Sequence, residues 1–139
     1  MQPTLLELVT WAKQAGKILM SGIGKDIQID HKSEIDLVTE IDRLSEAFLL
    51  DRIREHYPDD RIVAEESGII EGNNGNVWHI DPLDGTINYA HGIPIFAVSL
   101  GFMQDGEVKL GVIYDPVQDE CYTAKPVSYT HLRAHETND

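Results

Sequence analysis

The sequence predicts a mixed α/β fold in which two amphipathic helices pack on a largely antiparallel sheet. In residues 1–22 and 39–56, apolar residues recur at three- and four-residue steps, which is the period of a helix. Most of the remaining chain up to residue 125 consists of short apolar or alternating runs, separated by polar turns, which are typical of strands. The 139 residues are enough for one domain with one hydrophobic core.

Local signals define the ends of both predicted helices. Thr4 and Glu7 have the three-residue spacing of a capping box, and Gly22 is a typical helix-ending residue. The second helix is expected from Thr39 to His56, because Pro58 and the aspartates after it stop the periodic pattern.

Seven short strands are predicted from alternation and β-type composition. They cover residues 27–29, 35–37, 62–64, 77–80, 95–103, 108–114 and 120–124. Asp105-Gly106 is a strong hairpin signal between two of them. The strand at 77–80 is expected to end at Asp81-Pro82, and residues 71–76 are expected to form a loop. Four ring-bearing side chains are expected in the core: Trp11, Phe48, His79 and Phe96.

The charge balance restricts the possible partners. There are 24 acidic and 11 basic residues, and the net charge of −13 repels nucleic acid and anionic membranes, so neither is expected as a partner. No apolar run is long enough for a transmembrane segment, no secretory signal is recognisable, and the lone Cys121 has no internal disulfide partner. We therefore expect a cytoplasmic protein. A phosphorylated substrate would also be repelled unless metal cations reverse the field locally.

Residues 126–139 differ from the rest of the chain and are expected to be a non-native tail after a native part that covers residues 1–125. Residues 127–137 have neither helical nor strand periodicity, and they resemble one translated reading frame of a common sequencing adapter. His131 and His135 have the four-residue spacing of zinc ligands on a helix, but we exclude them from the candidate site because they lie in this tail.

Three acidic clusters are expected at strand ends: Asp36 with Thr39, Glu65-Glu66-Ser67, and the segment 81–88. Side chains at strand ends meet at one rim of a sheet, and carboxylate and carbonyl oxygens are the ligands that Mg²⁺ prefers. In the third cluster, Pro82 fixes the local backbone and directs the carbonyl of Leu83. The sequence therefore predicts a divalent metal site at this rim, beside a Gly85-Thr86 pair whose amides and hydroxyl suit a phosphate.

The segment Trp78–Tyr89 (Trp-His-Ile-Asp-Pro-Leu-Asp-Gly-Thr-Ile-Asn-Tyr) resembles the signature of the inositol monophosphatase family, which contains magnesium-dependent, lithium-sensitive sugar-phosphate phosphatases. Ala64-Glu65-Glu66-Ser67 and Asp36-Leu37-Val38-Thr39 are similar to the two preceding motifs of that family, and the resemblance extends from Leu5 to Ala124. It implies a layered α-β-α-β-α sugar-phosphatase fold in the complete protein, of which this chain is the N-terminal, metal-binding part. It also implies a homodimer for the full-length protein.

The resemblance implies a role for each motif residue. The metal ligands, for two or three Mg²⁺ ions in the complete enzyme, would be Glu66, Asp81, Leu83 through its carbonyl, and Asp84. The residues that contact the substrate, an inositol monophosphate or a related sugar phosphate, would be Glu66, Leu83, Asp84, Gly85 and Thr86. The catalytic residues, which hold and orient a metal-activated water for in-line attack on phosphorus, would be Asp36, Glu66 and Thr86.

Two alternatives stay open. Members of the family carry a Trp-Asp motif in their C-terminal half, and these 139 residues contain no Trp-Asp pair, so we expect little activity from them alone. A non-catalytic metal-binding remnant is therefore one alternative. The other is a haloacid dehalogenase-like phosphatase with an Asp-x-Asp-Gly-Thr motif. Here two residues separate Asp81 from Asp84, which on an extended strand places the two carboxylates on opposite faces.

Overall fold

The computed structural model describes residues 2–23, 31–125 and 128–133, and it describes side chains for residues 2–23 and 38–125. Within these ranges the chain forms three helices and a single seven-stranded sheet. The helices are α1 (Leu5–Ser21), α2 (His31–His56) and α3 (Thr86–Ala90). The strands are β1 (Arg61–Ala64), β2 (Gly68–Ile70), β3 (Asn76–Asp84), β4 (Ala97–Gln104), β5 (Glu107–Asp115), β6 (Glu120–Lys125) and β7 (Ser128–Arg133).

Helix α1 begins and ends as its sequence predicts. The Glu7 amide donates to Thr4 Oγ1 at 3.1 Å and the Thr4 amide donates to Glu7 Oε1 at 2.9 Å, which completes the capping box. Gly22 is the C-cap. On the buried face of α1, Gly16 lies so close to β5 that an added Cβ would meet the Tyr114 ring at 2.4 Å. Glycine at this position lets the helix approach the sheet.

Helix α2 corrects one prediction. It begins at His31 rather than Thr39, and it includes the segment 35–37 that alternation predicts as a strand. Residues 31–38 contain neither Gly nor Pro, and Ile35, Val38 and Ile41 continue the three-residue step of the helical stripe. Val38 and Ile41 are buried in the core. The helical period therefore overrides a two-residue alternation that was too short to define a strand. The strand predicted at 27–29 lies outside the described residues.

The sheet has the order β2-β1-β3-β4-β5-β6-β7 and is largely antiparallel, as predicted, with β1 and β3 as its parallel pair. Asp105 and Gly106 have φ of 51° and 83°, and these positive values produce the predicted tight hairpin between β4 and β5. Strand β2 was not predicted because its three residues are too few for a periodic signal. Strand β7 pairs with β6, although residues 127–137 show no strand periodicity.

The helices cover one face of the sheet and leave the other open. On the covered face, Trp78 is fully buried and its ring centroid lies 5.1 Å from that of Phe102 and 5.9 Å from that of Trp11. His79, which we expected in the core, is exposed on the open face because side chains alternate along β3. Cys121 on β6 is 1% exposed. In the described residues, no helix is long and apolar enough to span a bilayer.

Candidate metal and phosphate site

The acidic rim lies where the parallel strands β1 and β3 end. Their register pairs Ala64 with Ile80, so the next residues, Glu65 and Asp81, come side by side. These two carboxyl groups lie close enough for Glu65 to raise the pKa of Asp81. Both residues also line a groove of about 500 Å³ on the open face of the sheet. The parallel pairing therefore joins two acidic clusters that are separated in the sequence.

A bulge at the end of β3 brings Asp84 to the same region as Asp81. Asp81 pairs with Ser99 and Asp84 pairs with Ala97, so three steps along β3 match two along β4. This extra residue reverses the side-chain alternation that a regular strand would have. The Leu83 amide donates to Asp81 Oδ1 at 3.3 Å and tightens the turn. The structure thus overturns the expectation that β3 ends at Asp81-Pro82, because the strand continues through the bulge to Asp84.

Several carboxylates lie close to one another at the rim. Burial, the close approach of the Glu65 carboxyl group, and the negative charges of Glu65 and Asp84 raise the pKa of Asp81 well above its usual range. Asp42 on α2 faces the same region. Burial, followed by the charges of Glu66, Glu46 and Glu65, raises the pKa of Asp42 to about 6.

Asp42 also has an unsatisfied atom, because its buried Oδ1 has no hydrogen-bond partner among the residues that the structure describes. A carboxylate oxygen in this state is unusual, since most buried polar atoms are paired. A bound cation would reduce the repulsion between these carboxylates and would give the unpartnered oxygen a ligand.

The turn after the bulge contains the candidate phosphate-contacting residues. Gly85 has φ of 94°, and a Cβ there would lie 2.9 Å from the Ile95 carbonyl oxygen and 3.2 Å from Phe96 Cα. Only glycine fits this conformation and this close approach. Thr86 Oγ1 donates to the Leu83 carbonyl at 3.3 Å, so the hydroxyl predicted for catalysis also helps to shape the turn.

The structure brings most of the predicted site residues together. Five of them lie in one continuous segment: Asp81, Leu83, Asp84, Gly85 and Thr86. Glu66 lies at the end of β1, where its charge acts on Asp42. Asp36 lies within α2 rather than at a strand end, and its side chain is outside the described side chains.

The sequence alone does not distinguish Glu65 from its neighbours in the Glu65-Glu66-Ser67 cluster, whereas the structure places it beside Asp81. This placement follows from β1, where Ile62 and Ala64 are buried on the covered face. Because side chains alternate along a strand, the side chain of Glu65, which follows Ala64, is directed to the open face, where Asp81 also lies. Glu65 is therefore a further candidate ligand.

The donor chemistry of the rim fits Mg²⁺. All of the candidate donors are carboxylate or carbonyl oxygens, which a hard divalent cation prefers. In the side chains that the structure describes, no three acidic, histidine or cysteine groups are grouped so as to hold a metal ion on their own. Mg²⁺ does not require such a cage, because proteins usually hold it with one or two carboxylates, waters and the phosphate of the substrate.

Comparison with known proteins identifies relatives over most of the chain. The chain is 44% identical over 117 residues to a Bacillus subtilis protein named inositol-1-monophosphatase, covering 82% of this chain and 44% of the relative. It is 42% identical over 127 residues to the Nus factor SuhB of Pasteurella multocida, covering 89% of this chain and 48% of the relative. The chain therefore spans about half the length of the curated relatives it matches.

The solved structures agree with this relationship. A crystal structure of SaIMPase-II with bound inositol monophosphate superposes with a TM-score of 0.72 at 31% identity, covering 96% of this chain and 48% of that one. The family model described as "Inositol monophosphatase family" matches residues 1–134. The matched length, the identities to relatives and the shared fold show that the chain belongs to the inositol monophosphatase family.

Proposed function

We propose that the protein to which these residues belong is a Mg²⁺-dependent phosphate monoester hydrolase that acts on inositol monophosphate or a related sugar phosphate. The observation that carries this proposal is the carboxylate rim at the ends of β1 and β3, directly beside Gly85 and Thr86. Family membership supports the reaction class. The inositol monophosphate bound in the SaIMPase-II structure supports the substrate class.

The residues of the rim would hold the metal ions, two or three in the complete enzyme. The proposed ligands are Glu66, Asp81, the Leu83 carbonyl and Asp84, and the contact between Glu65 and Asp81 adds Glu65 to this set. When bound, Mg²⁺ supplies Lewis-acid activation of water and neutralises charge on the phosphate. A chain with a net charge of −13 needs this neutralisation, because without cations its acidic rim would repel a phosphate.

The remaining roles fall to the turn after β3 and to α2. Gly85 and Thr86 would contact the phosphate through backbone amides and the Thr86 hydroxyl, since they directly follow the carboxylates of the bulge. Asp36 and Thr86, with Glu66, would orient the attacking water. Glu66, Leu83 and Asp84 would also contact the substrate. This assignment follows the family motifs position by position.

Other properties of the proposed enzyme follow from the same resemblance and from the composition. We propose inhibition by lithium, a cytoplasmic location, a homodimer of the full-length protein, and no binding to nucleic acid or membranes. We also propose that residues 1–125 are the native part and that residues 126–139 are a non-native tail.

A second candidate is a non-catalytic role. Similarity to a protein named Nus factor SuhB favours it. In that case the rim would retain metal binding without turnover.

The deciding experiment begins with the source DNA, sequenced independently across the codon for Lys125. We expect the reading frame to continue into a second half with a Trp-Asp motif. The encoded protein should release phosphate from inositol 1-phosphate only with Mg²⁺, whereas residues 1–139 alone should show little turnover. Asp81→Asn should reduce turnover about 100-fold or more, since it removes a candidate metal ligand. A frame that ends at Asp139, or an extended protein without turnover, would favour the non-catalytic role.

A further inference from the structure

Two adjacent residues of α2 each contact one of the two segments that carry the candidate ligands. Ser45 is 0% exposed, and its Oγ donates to the Pro82 carbonyl at 3.0 Å. Glu46 is 4% exposed, and its two carboxylate oxygens accept from the Glu66 amide at 3.0 Å and from Ser67 Oγ at 2.7 Å. One short stretch of helix is therefore hydrogen-bonded to both segments.

These contacts matter because the β1–β3 ladder ends before the candidate ligands, which are the Glu65-Glu66 turn and the Asp81–Asp84 bulge of β3. The parallel ladder of β1 and β3 ends at the pair Ala64 and Ile80, one residue before the acidic rim. On the other side of β3, the ladder with β4 is interrupted between Asp81 and Asp84. Glu65 and Glu66 thus follow the end of β1, and the Asp81–Asp84 bulge is paired with β4 at its two ends but not with β1.

The buried carboxylate of Glu46 requires an explanation beyond packing. A charged group is unfavourable inside a protein unless it is fully hydrogen-bonded. Glu46 also lies near Asp42, and its charge contributes to the raised pKa of that residue. Because both of its oxygens already accept hydrogen bonds from the loop after β1, its role is to hold that loop rather than to bind a metal ion.

We propose that Ser45 and Glu46 are positioning residues that set the separation between the Glu65-Glu66 turn and the Asp81–Asp84 bulge of β3, and thereby the metal affinity of the rim. This inference rests on the proposed metal site. Partners of the metal ligands act in this way in other proteins, where their loss typically weakens metal binding about 10- to 100-fold.

The rival explanation is that Glu46 acts only through its negative charge, and two variants separate charge from hydrogen bonding. Glu46→Gln removes the charge but keeps a carbonyl oxygen that can accept from the Glu66 amide. Glu46→Asp keeps the charge, but its side chain is one methylene shorter and does not reach both donors. If positioning is the role, the Asp variant binds metal more weakly than the Gln variant. If charge is the role, the order is reversed.

The experiment is a Mn²⁺ titration of the 139-residue chain, in which electron paramagnetic resonance measures free Mn²⁺. We expect Glu46→Ala, Glu46→Asp and Ser45→Ala to weaken binding about 10-fold or more, and Glu46→Gln to weaken it only about 3-fold. Asp51→Asn, which removes an exposed carboxylate of the same helix, is the matched control and should bind as the wild type does. Melting temperatures show that each variant is folded at the titration temperature.

A second readout does not depend on metal. In the metal-free protein, amide hydrogen exchange at Glu66 should be protected in the wild type and in Glu46→Gln, and should accelerate about 10-fold or more in Glu46→Asp. Normal Mn²⁺ affinity in folded Glu46→Asp and Ser45→Ala would overturn the positioning role, as would unchanged Glu66 exchange. The proposed metal site has a separate test: Asp81→Asn that binds Mn²⁺ as tightly as the wild type would show that the ion is not held at the rim, whatever the Ser45 and Glu46 variants do.

Discussion

The two faces of the sheet differ in the size and the exposure of their side chains. The covered face holds large side chains with no exposure, such as Trp78 and Phe102, and these pack against the helices. The open face holds small or exposed residues, including Gly101 and His79, around a groove of about 500 Å³ that Glu65 also lines. Because side chains alternate along each strand, the same strands supply the stabilising core on one face and ligand-facing groups on the other. Stability and metal binding should therefore respond to different mutations.

The largest effect is expected on the covered face. Trp78→Ala removes a fully buried ring that contacts Trp11, Tyr57 and Phe102, and should lower the free energy of unfolding by about 3–5 kcal/mol. On the open face, Ile113→Ala should cost less than about 1 kcal/mol, because Ile113 is 49% exposed. Urea unfolding measures both values, and equal losses would contradict the division between the faces.

A smaller loss is expected from the polar network beneath Trp78. Asp60 is buried, and its carboxylate accepts from Trp78 Nε1 at 2.9 Å, Asn74 Nδ2 at 3.0 Å and Asn76 Nδ2 at 3.2 Å. Asp60→Ala leaves these donors without their partner, and should cost about 2–3 kcal/mol in urea unfolding. The neighbouring exposed Asp59 provides the control, since Asp59→Ala should cost about 0.5 kcal/mol. Similar losses for both variants would show that the network does not stabilise the core.

The metal site at the rim is tested by a gain in stability, whereas the preceding variants lose stability. At a free Mg²⁺ concentration ten times the dissociation constant, the folded state should gain about 1.4 kcal/mol, because only the folded state assembles the rim. Calorimetry should therefore show a higher melting temperature with Mg²⁺ than with a chelator. Asp81→Asn should abolish the shift, while Trp78→Phe on the covered face should retain it. A shift that persists in Asp81→Asn would place the metal elsewhere.

The smallest effect is the pH dependence of the metal-free protein. The folded-state pKa of Asp42 is raised to about 6, above the usual 3.8, so the folded protein holds this proton more tightly than the unfolded chain does. The Asp42 contribution to stability is therefore present below about pH 4 and is lost as the pH rises through about 6. Asp42→Asn should stabilise the chain by up to about 1 kcal/mol at pH 7.5, since solvent screens this half-exposed group, and should have no such effect at pH 4. Destabilisation at pH 7.5 would contradict the proposed like-charge repulsion.

Features that depend on neighbouring residues in the sequence were predicted well. The capping box at Thr4 and Glu7 and the hairpin at Asp105-Gly106 follow from local backbone and hydrogen-bonding preferences, and both are confirmed. The fold class also follows from local periodicity and is confirmed by the solved relatives. Such features can be predicted from a few neighbouring residues, without reference to the rest of the chain.

Features that depend on pairing between distant segments were not predicted. The bulge at Asp81–Asp84 exists only relative to β4, and the contact of Glu65 with Asp81 exists only because β1 and β3 run parallel. Similarly, the orientation of His79 depends on which face of the sheet the helices cover. Ligand roles for Glu66, Asp81, Leu83 and Asp84 remain predictions, and the Mn²⁺ titration is their direct test.

Cys121 offers a built-in reporter of local opening between helix α1 and the sheet. Its thiol is 1% exposed, burial raises its pKa to about 11, and its backbone pairs with Tyr114 on β5 and Leu132 on β7. A thiol reagent therefore reacts only when the packing of α1 against the sheet, or the pairing of β6, transiently opens, because the buried neutral thiol is neither accessible nor nucleophilic. Since Cys121 is the chain's single cysteine, the rate of alkylation measures how often this region opens.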